Sequence, residues 1–290
     1  MNDAPLVSVL INCFNSETYL KKAIESVYAQ TYKNWEIIFW DNQSTDSSAQ
    51  IAKSFDGRLK YFYSHEFSNL GTARNRALKK VNGKYIAFLD CDDLWYPEKI
   101  FKQVKLLEAS KGELGFVYGK TEYYYEHKKQ SNIRGGKYSL PEGMIFNKML
   151  KNNFVPFVSA VVDKEKLLQI GGFPEDIYHS TDYYIFLKLA HRFKIKVLNE
   201  VCCMYRIHKD NLSNSINDIG IKECISMLSK YKTNNSHIER SIKFHKVRLA
   251  MNYFKNKRYR DSLPIVFSHY FFLCLLLMIF QHFQRKFGIY

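Results

Sequence analysis

The sequence lacks several features that would assign it at once to a common class of protein. Its six cysteines are scattered without a C-x-x-C pair, which argues against a zinc site and against a disulfide framework. No G-x-G-x-x-G follows the first apolar run, so a dinucleotide oxidoreductase is disfavoured. Only 6 prolines and 13 glycines occur among 290 residues, and no Pro/Gly/Ser-rich linker, repeat or low-complexity tract interrupts the chain. These absences predict reduced thiols and one large core with a smaller appendage.

The N-terminus lacks the basic lead and the small-residue cleavage site of a secretory signal, which predicts a cytosolic protein.

Positive charge is concentrated at the other end of the chain. The formal net charge is +15, and Ile221 to Tyr290 alone carries thirteen Lys or Arg against three acidic residues. This basic extension predicts an anionic membrane surface or nucleic acid as a partner, or simply a solubilising helical face. No nucleic-acid-binding motif occurs, so nucleic acid is not the partner we expect.

An apolar and aromatic stretch, Leu263 to Phe280, lies within the basic extension. Its uninterrupted part, Tyr270 to Phe280, is shorter than the ~20 residues that a membrane-crossing helix needs. With basic Arg258, Arg260, Arg285 and Lys286 around it, one interpretation is an interfacial helix on the inner face of the cell membrane. The other is a helix packed on the rest of the protein or on a dimer partner. The sequence leaves both open.

Short, nearly continuous apolar runs alternate with helix-like segments in the first 90 residues. The runs are Val7 to Ile11, Trp35 to Trp40, Leu59 to Tyr63 and Tyr85 to Leu89. This alternation predicts an α/β fold with a mostly parallel central sheet flanked by helices, in the manner of a Rossmann fold. In such sheets ligands bind beyond the carboxyl ends of the strands.

Polar clusters follow three of these runs, and they begin at Asn12, Asp41 and Asp90. In the third cluster, Asp90 and Asp92 stand at i and i+2, where two carboxylates can hold one hard cation together with substrate phosphates. The alternative is that Asp90 caps a following helix and that the other acids are solvated turn residues. Asp41 likewise has an alternative as a helix cap.

The order of the motifs favours the functional interpretation. They are V-S-V-L-I-N-C-F-N, W-D-N-Q-S-T-D, G-T-A-R-N-R-A-L and Y-I-A-F-L-D-C-D-D, followed by G-G-F-P-E, S-T-D-Y-Y and Y-R-I-H. Between Leu6 and Ser213 this set resembles glycosyltransferase family 2, an inverting group with the GT-A fold. The resemblance implies a catalytic domain over residues 1–215, with a nucleotide half at about 1–115 and an acceptor half at about 116–215. It leaves 216–290 as a basic helical extension.

The resemblance also implies roles for individual residues. Nucleotide contacts are expected from Asn12, Phe14, Asp41, Asn42, Arg74 and Asp90, metal ligation of Mn²⁺ or Mg²⁺ from Asp92 and His208, and general-base catalysis from Asp182. The sequence departs from the family twice. Asp41-Asn42 stands where paired acids are common, which leaves a base other than uracil open, and Thr181-Asp182 stands where Glu-Asp is common.

The function implied is inverting transfer from a nucleoside-diphosphate sugar, expected to be a UDP-sugar, to a hydroxyl of a glycan or a lipid-linked acceptor. Bacterial surface-polysaccharide and lipopolysaccharide synthesis is the setting that the resemblance suggests. Two alternatives stay open at this stage. One is a catalytically silent protein that binds sugar nucleotides on the same fold, and the other is a basic nucleic-acid-binding protein.

Overall fold

The apolar runs near the N-terminus form the parallel strands that the sequence predicts. In this computed structural model, β1 (Val7–Cys13) lies between β2 (Trp35–Asp41) and β4 (Tyr85–Phe88), and β3 (Leu59–Tyr63) pairs with the outer edge of β2. Nearly every residue of β1, β2 and β4 is buried, because helices cover both faces of a sheet of this kind. The structure describes residues 4–134, 140–211, 218–231 and 235–267.

The sheet continues through later strands, of which two are short. β8 (Val161–Asp163) runs antiparallel to both β4 and β6 (Leu114–Tyr125), and β9 (Lys194–Ile207) runs parallel to β6. β5 (Leu94–Trp95) pairs antiparallel with β9, and β7 (Gln130–Arg134) forms a hairpin with β6. Over the described residues, the strand order is β3-β2-β1-β4-β8-β6-β9-β5 with β7 beside β6. The predicted α/β fold with a mostly parallel sheet is confirmed.

Seven helices of the first 211 residues flank the sheet, among the residues that the structure describes. They are α1 (Glu17–Tyr28), α2 (Ser48–Lys53), α3 (Leu70–Leu78), α4 (Lys99–Ala109), α5 (Phe146–Met149), α6 (Lys164–Gln169) and α7 (Thr181–Arg192). The sequence predicts one apolar face on α1, of Tyr19, Leu20, Ala23, Ile24 and Val27, and all of these except the partly exposed Tyr19 are buried. A stripe of this spacing turns one helix face toward the core.

In the acceptor half, the sequence predicts a helix over Glu142 to Leu150 and a strand over Val158 to Val162, and the structure differs at both. The helix expected over Glu142 to Leu150 is reduced to α5, because Gly143 takes a positive φ and forms a β-bridge with Ile195. The strand expected from Val158 begins only at Val161, because a 3-10 turn, Phe157–Ser159, follows Pro156. Apolar content alone does not distinguish such a turn from a strand.

The chain divides into two compact units. The first comprises Met1–Met149 and Asn153–Asn211, and the second comprises Leu150–Asn152 and Leu212–Tyr290. The described part of the second unit is helical, with α8 (Asp218–Ser229), α9 (Ser236–Lys255) and α10 (Tyr259–Phe267). None of the helices described here is long and apolar enough to cross a membrane. The apolar run Tyr270 to Phe280, Arg285, Lys286 and the expected boundary at residue 215 lie outside the described residues.

Candidate functional site

The three polar clusters meet at the carboxyl ends of the first unit's parallel strands. Cys13 at the end of β1 stands opposite Asp41 at the end of β2. On the other side, Leu10 of β1 stands opposite Phe88 of β4, so the residues that follow each strand emerge side by side. The sheet register therefore assembles one rim from chain segments that are about 30 to 80 residues apart.

Arg74 lies on α3, which positions it at this rim. The start of α3 packs against the residues that follow the Gly171-Gly172 turn. Asn75 exchanges two hydrogen bonds of 2.9 Å with the backbone of Phe173, one as donor through Nδ2 and one as acceptor through Oδ1. A Cβ on Gly71 would lie 1.8 Å from the carbonyl oxygen of Pro174, so only glycine permits this approach. The motifs G-T-A-R-N and G-G-F-P-E, about 100 residues apart in sequence, thus form one structural element.

The guanidinium of Arg74 is buried among site residues. Its Nη1 donates to Thr181 Oγ1 at 2.6 Å, and its Nη2 lies 3.6 Å from Asp90 Oδ1. Its Cζ lies 3.9 Å from the ring centroid of Phe157, in a cation–π contact. Burial lowers the pKa of Arg74, but arginine stays charged in proteins. The result is a fixed cation whose nearest carboxylate, Asp90, stands just beyond hydrogen-bond distance.

Asp182 occupies the first turn of α7, directly after Thr181. Asn153 Nδ2 donates to its Oδ2 at 3.0 Å, which fixes the orientation of the carboxylate. Burial raises the pKa of Asp182, and the positive charge of Arg74 opposes the shift only in part. A carboxylate whose pKa is raised holds a proton more readily, as a general base must when it accepts one.

Asp90 lies between the two halves of the site. Desolvation raises the pKa of Asp90 to about 6, against the lowering effect of Arg74. The negative charges of Asp92 and Asp182 contribute to this raised value. The predicted metal ligand and the predicted catalytic base therefore both act on Asp90.

Asp92 and His208 form a direct pair. His208 Nε2 lies 2.9 Å from Asp92 Oδ2. The backbone N–H of Asp210 donates to His208 Nδ1 at 3.3 Å, which leaves Nε2 as the ring nitrogen that faces Asp92. Asn211 completes the arrangement, since its Nδ2 donates to Asp92 Oδ2 at 3.2 Å and its Oδ1 accepts from the backbone N–H of His208 at 2.5 Å.

This pair suits a hard divalent cation that is shared with a substrate. Asp92 offers an oxygen ligand and His208 a nitrogen ligand at adjacent positions. Among the described residues no cluster of three or more His, Cys, Asp or Glu is arranged to hold a metal ion. The remaining positions of an octahedral cation would thus fall to water and phosphate oxygens, as is usual for Mg²⁺.

The sequence alone indicates no more than a turn residue at Asp93. In the structure, Asp93 joins the loop that follows β4 to β9. Its Oδ1 accepts from the backbone N–H of Arg206 at 2.9 Å, and Arg206 Nε donates to the carbonyl of Asp92 at 2.9 Å. Desolvation raises the pKa of the fully buried Asp93 carboxyl well above its usual range. Its second oxygen has no hydrogen-bond partner within the described ranges. Asp93 therefore supports the site from behind rather than facing it.

The side chains predicted to hold the base lie at the ends of β1 and β2. Phe14 is 48% exposed and meets the exposed Phe67 edge to face, with ring centroids 5.0 Å apart. Such half-exposed rings can stack on a planar base. Nδ2 of Asn12 is buried and finds no hydrogen-bond partner among the residues that the structure describes. A buried donor without a partner is costly, so it is well suited to meet a ligand.

Asp41 and Asn42 are brought to the same rim but are engaged with protein groups. The fully buried Asp41 accepts from the backbone N–H of Ser44 at 2.7 Å and from the Tyr61 hydroxyl at 2.6 Å. Asn42 donates from Nδ2 to the Ser68 carbonyl at 2.8 Å and accepts from the Ser68 hydroxyl at 3.2 Å. The nucleotide contacts expected of these two residues stay predictions, whereas their support of the surrounding loops is observed.

Several residues of the site were not identified from the sequence. They are Phe67, Asp93, Asn153, Thr181 and Asn211, and each contacts a predicted residue, Asp93 through its backbone N–H to the Asp90 carbonyl. Asn153, Thr181 and Asn211 are uncharged, so only their contacts in the fold distinguish them from ordinary loop residues. Thr181 alone had a signal, because it stands where an acid was expected.

Comparison with known proteins shows the family to which the chain is similar. The family model described as Glycosyl transferase family 2 matches residues 8–170. The chain is 32% identical over 216 residues to the Escherichia coli UDP-Glc:alpha-D-GlcNAc-diphosphoundecaprenol beta-1,3-glucosyltransferase WfgD, a match that covers 73% of this chain and 81% of that one. It is also 32% identical over 230 residues to the E. coli enzyme WfaP, whose name states the same activity; here 75% of this chain and 88% of WfaP are covered.

Solved structures show the same fold. Residues 1–349 of Staphylococcus aureus TarS, in complex with UDP-GlcNAc, superpose with a TM-score of 0.67 at 17% identity, covering 89% of this chain and 78% of that fragment. A mannosyltransferase from Pyrobaculum calidifontis, in complex with GDP-Man and Mn²⁺, superposes with a TM-score of 0.65 at 16% identity, covering 100% and 82%. Both are GT-A glycosyltransferases, so the GT-A fold predicted from the sequence is confirmed.

Proposed function

The chain belongs to glycosyltransferase family 2, and on that premise we propose that it transfers a sugar from a UDP-sugar to a hydroxyl of a lipid-linked glycan, inverting the anomeric centre. The observation that carries the proposal is the shared cluster of Arg74, Asp182 and Asp90, which continues into the Asp92–His208 pair. It combines a fixed cation, a partly buried carboxylate and a ligand pair at one rim of the sheet.

The chemical step is a single displacement. Asp182 takes the proton from an acceptor hydroxyl as the hydroxyl oxygen forms a bond to the anomeric carbon of the donor. The bond from that carbon to the diphosphate oxygen breaks, and the nucleoside diphosphate leaves with the electron pair. Attack from the face opposite the leaving group converts an α-linked donor into a β-linked product. General-base assistance of this kind contributes on the order of 10² to 10⁴ in rate.

Charge that develops on the leaving group is offset at two places. Arg74 supplies a permanent positive charge whose position is set by Thr181 and the Phe157 ring. Mn²⁺ or Mg²⁺ bound by Asp92 and His208 would supply Lewis-acid stabilisation of the diphosphate. Phe14 stacks on the base, and Asn12 donates to the nucleotide through its unpartnered amide.

The acceptor class follows from the relatives. WfgD and WfaP are named for transfer to a GlcNAc-diphosphoundecaprenol, and a lipid-linked acceptor of this chemistry is our proposal for the present chain. Such an acceptor would bring the enzyme to the inner face of the cell membrane. The aromatic hairpin of β6 and β7 carries Tyr123, Tyr124 and Tyr125 and is the acceptor-side surface we propose, since tyrosine rings stack on sugars.

The experiment is a transfer assay with the purified full chain. UDP- and GDP-sugars are each offered with a GlcNAc-diphospholipid, with Mn²⁺ or with a chelator, and the product linkage is read by NMR. We expect metal-dependent transfer from one UDP-sugar with a β linkage. An α-linked product would refute the inverting mechanism. Nucleotide-sugar binding without transfer or hydrolysis of any donor would favour the catalytically silent alternative.

A further inference from the structure

We propose that the turn between α9 and α10 is a docking surface for an anionic lipid bilayer. The surface, which we call the α9–α10 turn surface, consists of Phe254, Lys255, Lys257, Tyr259, Arg260 and Leu263. The inference concerns the second unit alone and goes beyond the transfer reaction, because it assigns a binding partner of its own to that unit.

The apolar part of the surface is unusually exposed for side chains of its size. Phe254, Tyr259 and Leu263 are each 48–49% exposed. Phe254 and Tyr259 contact each other, with ring centroids 5.2 Å apart, and Leu263 stands four residues after Tyr259 on the same face of α10. Three adjacent apolar groups at the end of a helical hairpin form a patch that can enter the headgroup region of a bilayer.

The cations of the surface surround this patch. Lys255, Lys257 and Arg260 are exposed, and none of them makes an ion pair with another residue that the structure describes. Arg258, by contrast, is used internally, since it pairs with Asp261 at 2.7 Å and with Asp218 at 3.2 Å. Three cations that form no ion pair within the described ranges, beside an apolar patch, match the headgroups and acyl chains of an anionic membrane.

The turn itself is held in one conformation. Arg258 N–H donates to the Tyr253 carbonyl at 2.8 Å, and the guanidinium lies 4.4 Å from the Tyr253 ring centroid. Ser262 Oγ donates to the Ala250 carbonyl at 3.0 Å and joins α10 to α9. The exposed groups are therefore presented on a fixed support, which reduces the entropy lost on docking. In sequence the surface is followed closely by the apolar run Tyr270 to Phe280.

The test is co-sedimentation of the full chain with vesicles of phosphatidylcholine alone or with about 30% phosphatidylglycerol. We expect binding to the anionic vesicles that weakens with salt. Each cation near such a surface contributes about 1 kcal/mol, so replacing Lys255, Lys257 and Arg260 by glutamine should lower the partition coefficient roughly 100-fold. A matched control replaces exposed Lys22, Lys79 and Lys105 of the first unit by glutamine and should leave most of the binding intact.

A second variant reports insertion directly. Phe254→Trp places a fluorophore on the surface, and its emission should shift to the blue when anionic vesicles are added. Failure to bind vesicles, an equal loss in the control variant, or unshifted emission would each overturn the proposal. So would binding to a duplex oligonucleotide in the absence of vesicle binding. Transfer to a soluble GlcNAc-diphosphate acceptor is measured separately, so a failure of docking remains distinct from a failure of the proposed reaction.

Discussion

Replacing Asp182 by asparagine tests the proposed base and should separate catalysis from stability. Turnover should fall at least 10² to 10⁴-fold, equivalent to about 3–5 kcal/mol of activation free energy, because asparagine cannot accept the acceptor's proton. The side chain is nearly isosteric, and its oxygen can keep the 3.0 Å hydrogen bond from Asn153 Nδ2. The geometry around Arg74 and the affinity for the nucleotide sugar should therefore be retained.

The Asp182→Asn variant should lose turnover but gain stability. Burial raises the pKa of Asp182, so the carboxylate is less stable in the folded protein than in the unfolded chain. The resulting penalty is absent below the unfolded pKa and develops as the pH rises through the folded pKa. At pH 7 the asparagine variant lacks the charge, and its free energy of unfolding should be higher than that of the parent.

The assays are single-turnover transfer, calorimetric binding of the UDP-sugar, and urea unfolding at pH 7. Asp163→Asn is the matched control. Asp163 caps α6 through the N–H of Lys166 and stands opposite Tyr85, at the end of β4 remote from the site. The Asp163→Asn variant should retain full turnover. If Asp182→Asn kept more than a tenth of the parent turnover, the assignment of the base would be wrong.

Three further predictions follow from contacts at and around the site. Gly71→Ala should lose about 1–3 kcal/mol of unfolding free energy, because the new Cβ would overlap backbone atoms. A Cβ at Gly57 would lie in open space, so Gly57→Ala should change the unfolding free energy by less than about 0.5 kcal/mol. Urea unfolding measures both variants. Asn211→Ala should weaken Mn²⁺ binding about 10- to 100-fold in an EPR titration with UDP present, because Asp92 loses its 3.2 Å donor; unchanged affinity would remove Asn211 from the site. Burial raises the pKa of Glu36, but its hydrogen bonds outweigh this and hold the pKa below its usual value. Glu36 therefore stabilises the fold above its unfolded pKa, and this stabilisation is lost as the pH falls through the folded pKa. Glu36→Gln should flatten the acid dependence of the unfolding free energy.

The parallel half of the sheet could be predicted because each strand is a nearly continuous apolar run. Strands that are buried on both faces need no alternation of apolar and polar residues. The apolar runs of β1, β2 and β4 therefore differ sharply from the polar segments that follow them. The acceptor half offers no such contrast. β9 spans Lys194–Ile207 and includes exposed Glu200, so its sequence does not stand out from a loop.

The site residues divide in the same way. Asp90, Asp92 and Asp182 were candidates from the sequence because they lie near strand ends and helix starts in a recognisable order, and their roles stay predictions. Asn153 and Asn211 could not, because an amide becomes important only through its distance to a carboxylate, and that distance is set by the packing of remote segments. A sequence pattern contains the residue types of a site but not the contacts that orient them.

Thr181 shows how a departure from the family pattern can be understood once the contacts are known. An acid at this position would meet the Arg74 guanidinium at the place where the Thr181 hydroxyl now accepts at 2.6 Å. With a neutral acceptor there, and Asp90 at 3.6 Å, less of the positive charge of Arg74 is neutralised by the protein itself. That charge remains available to an anionic ligand, because a hydroxyl fixes the orientation of the guanidinium without cancelling its field. Threonine at this position thus holds Arg74 in place and leaves its charge less neutralised by the protein.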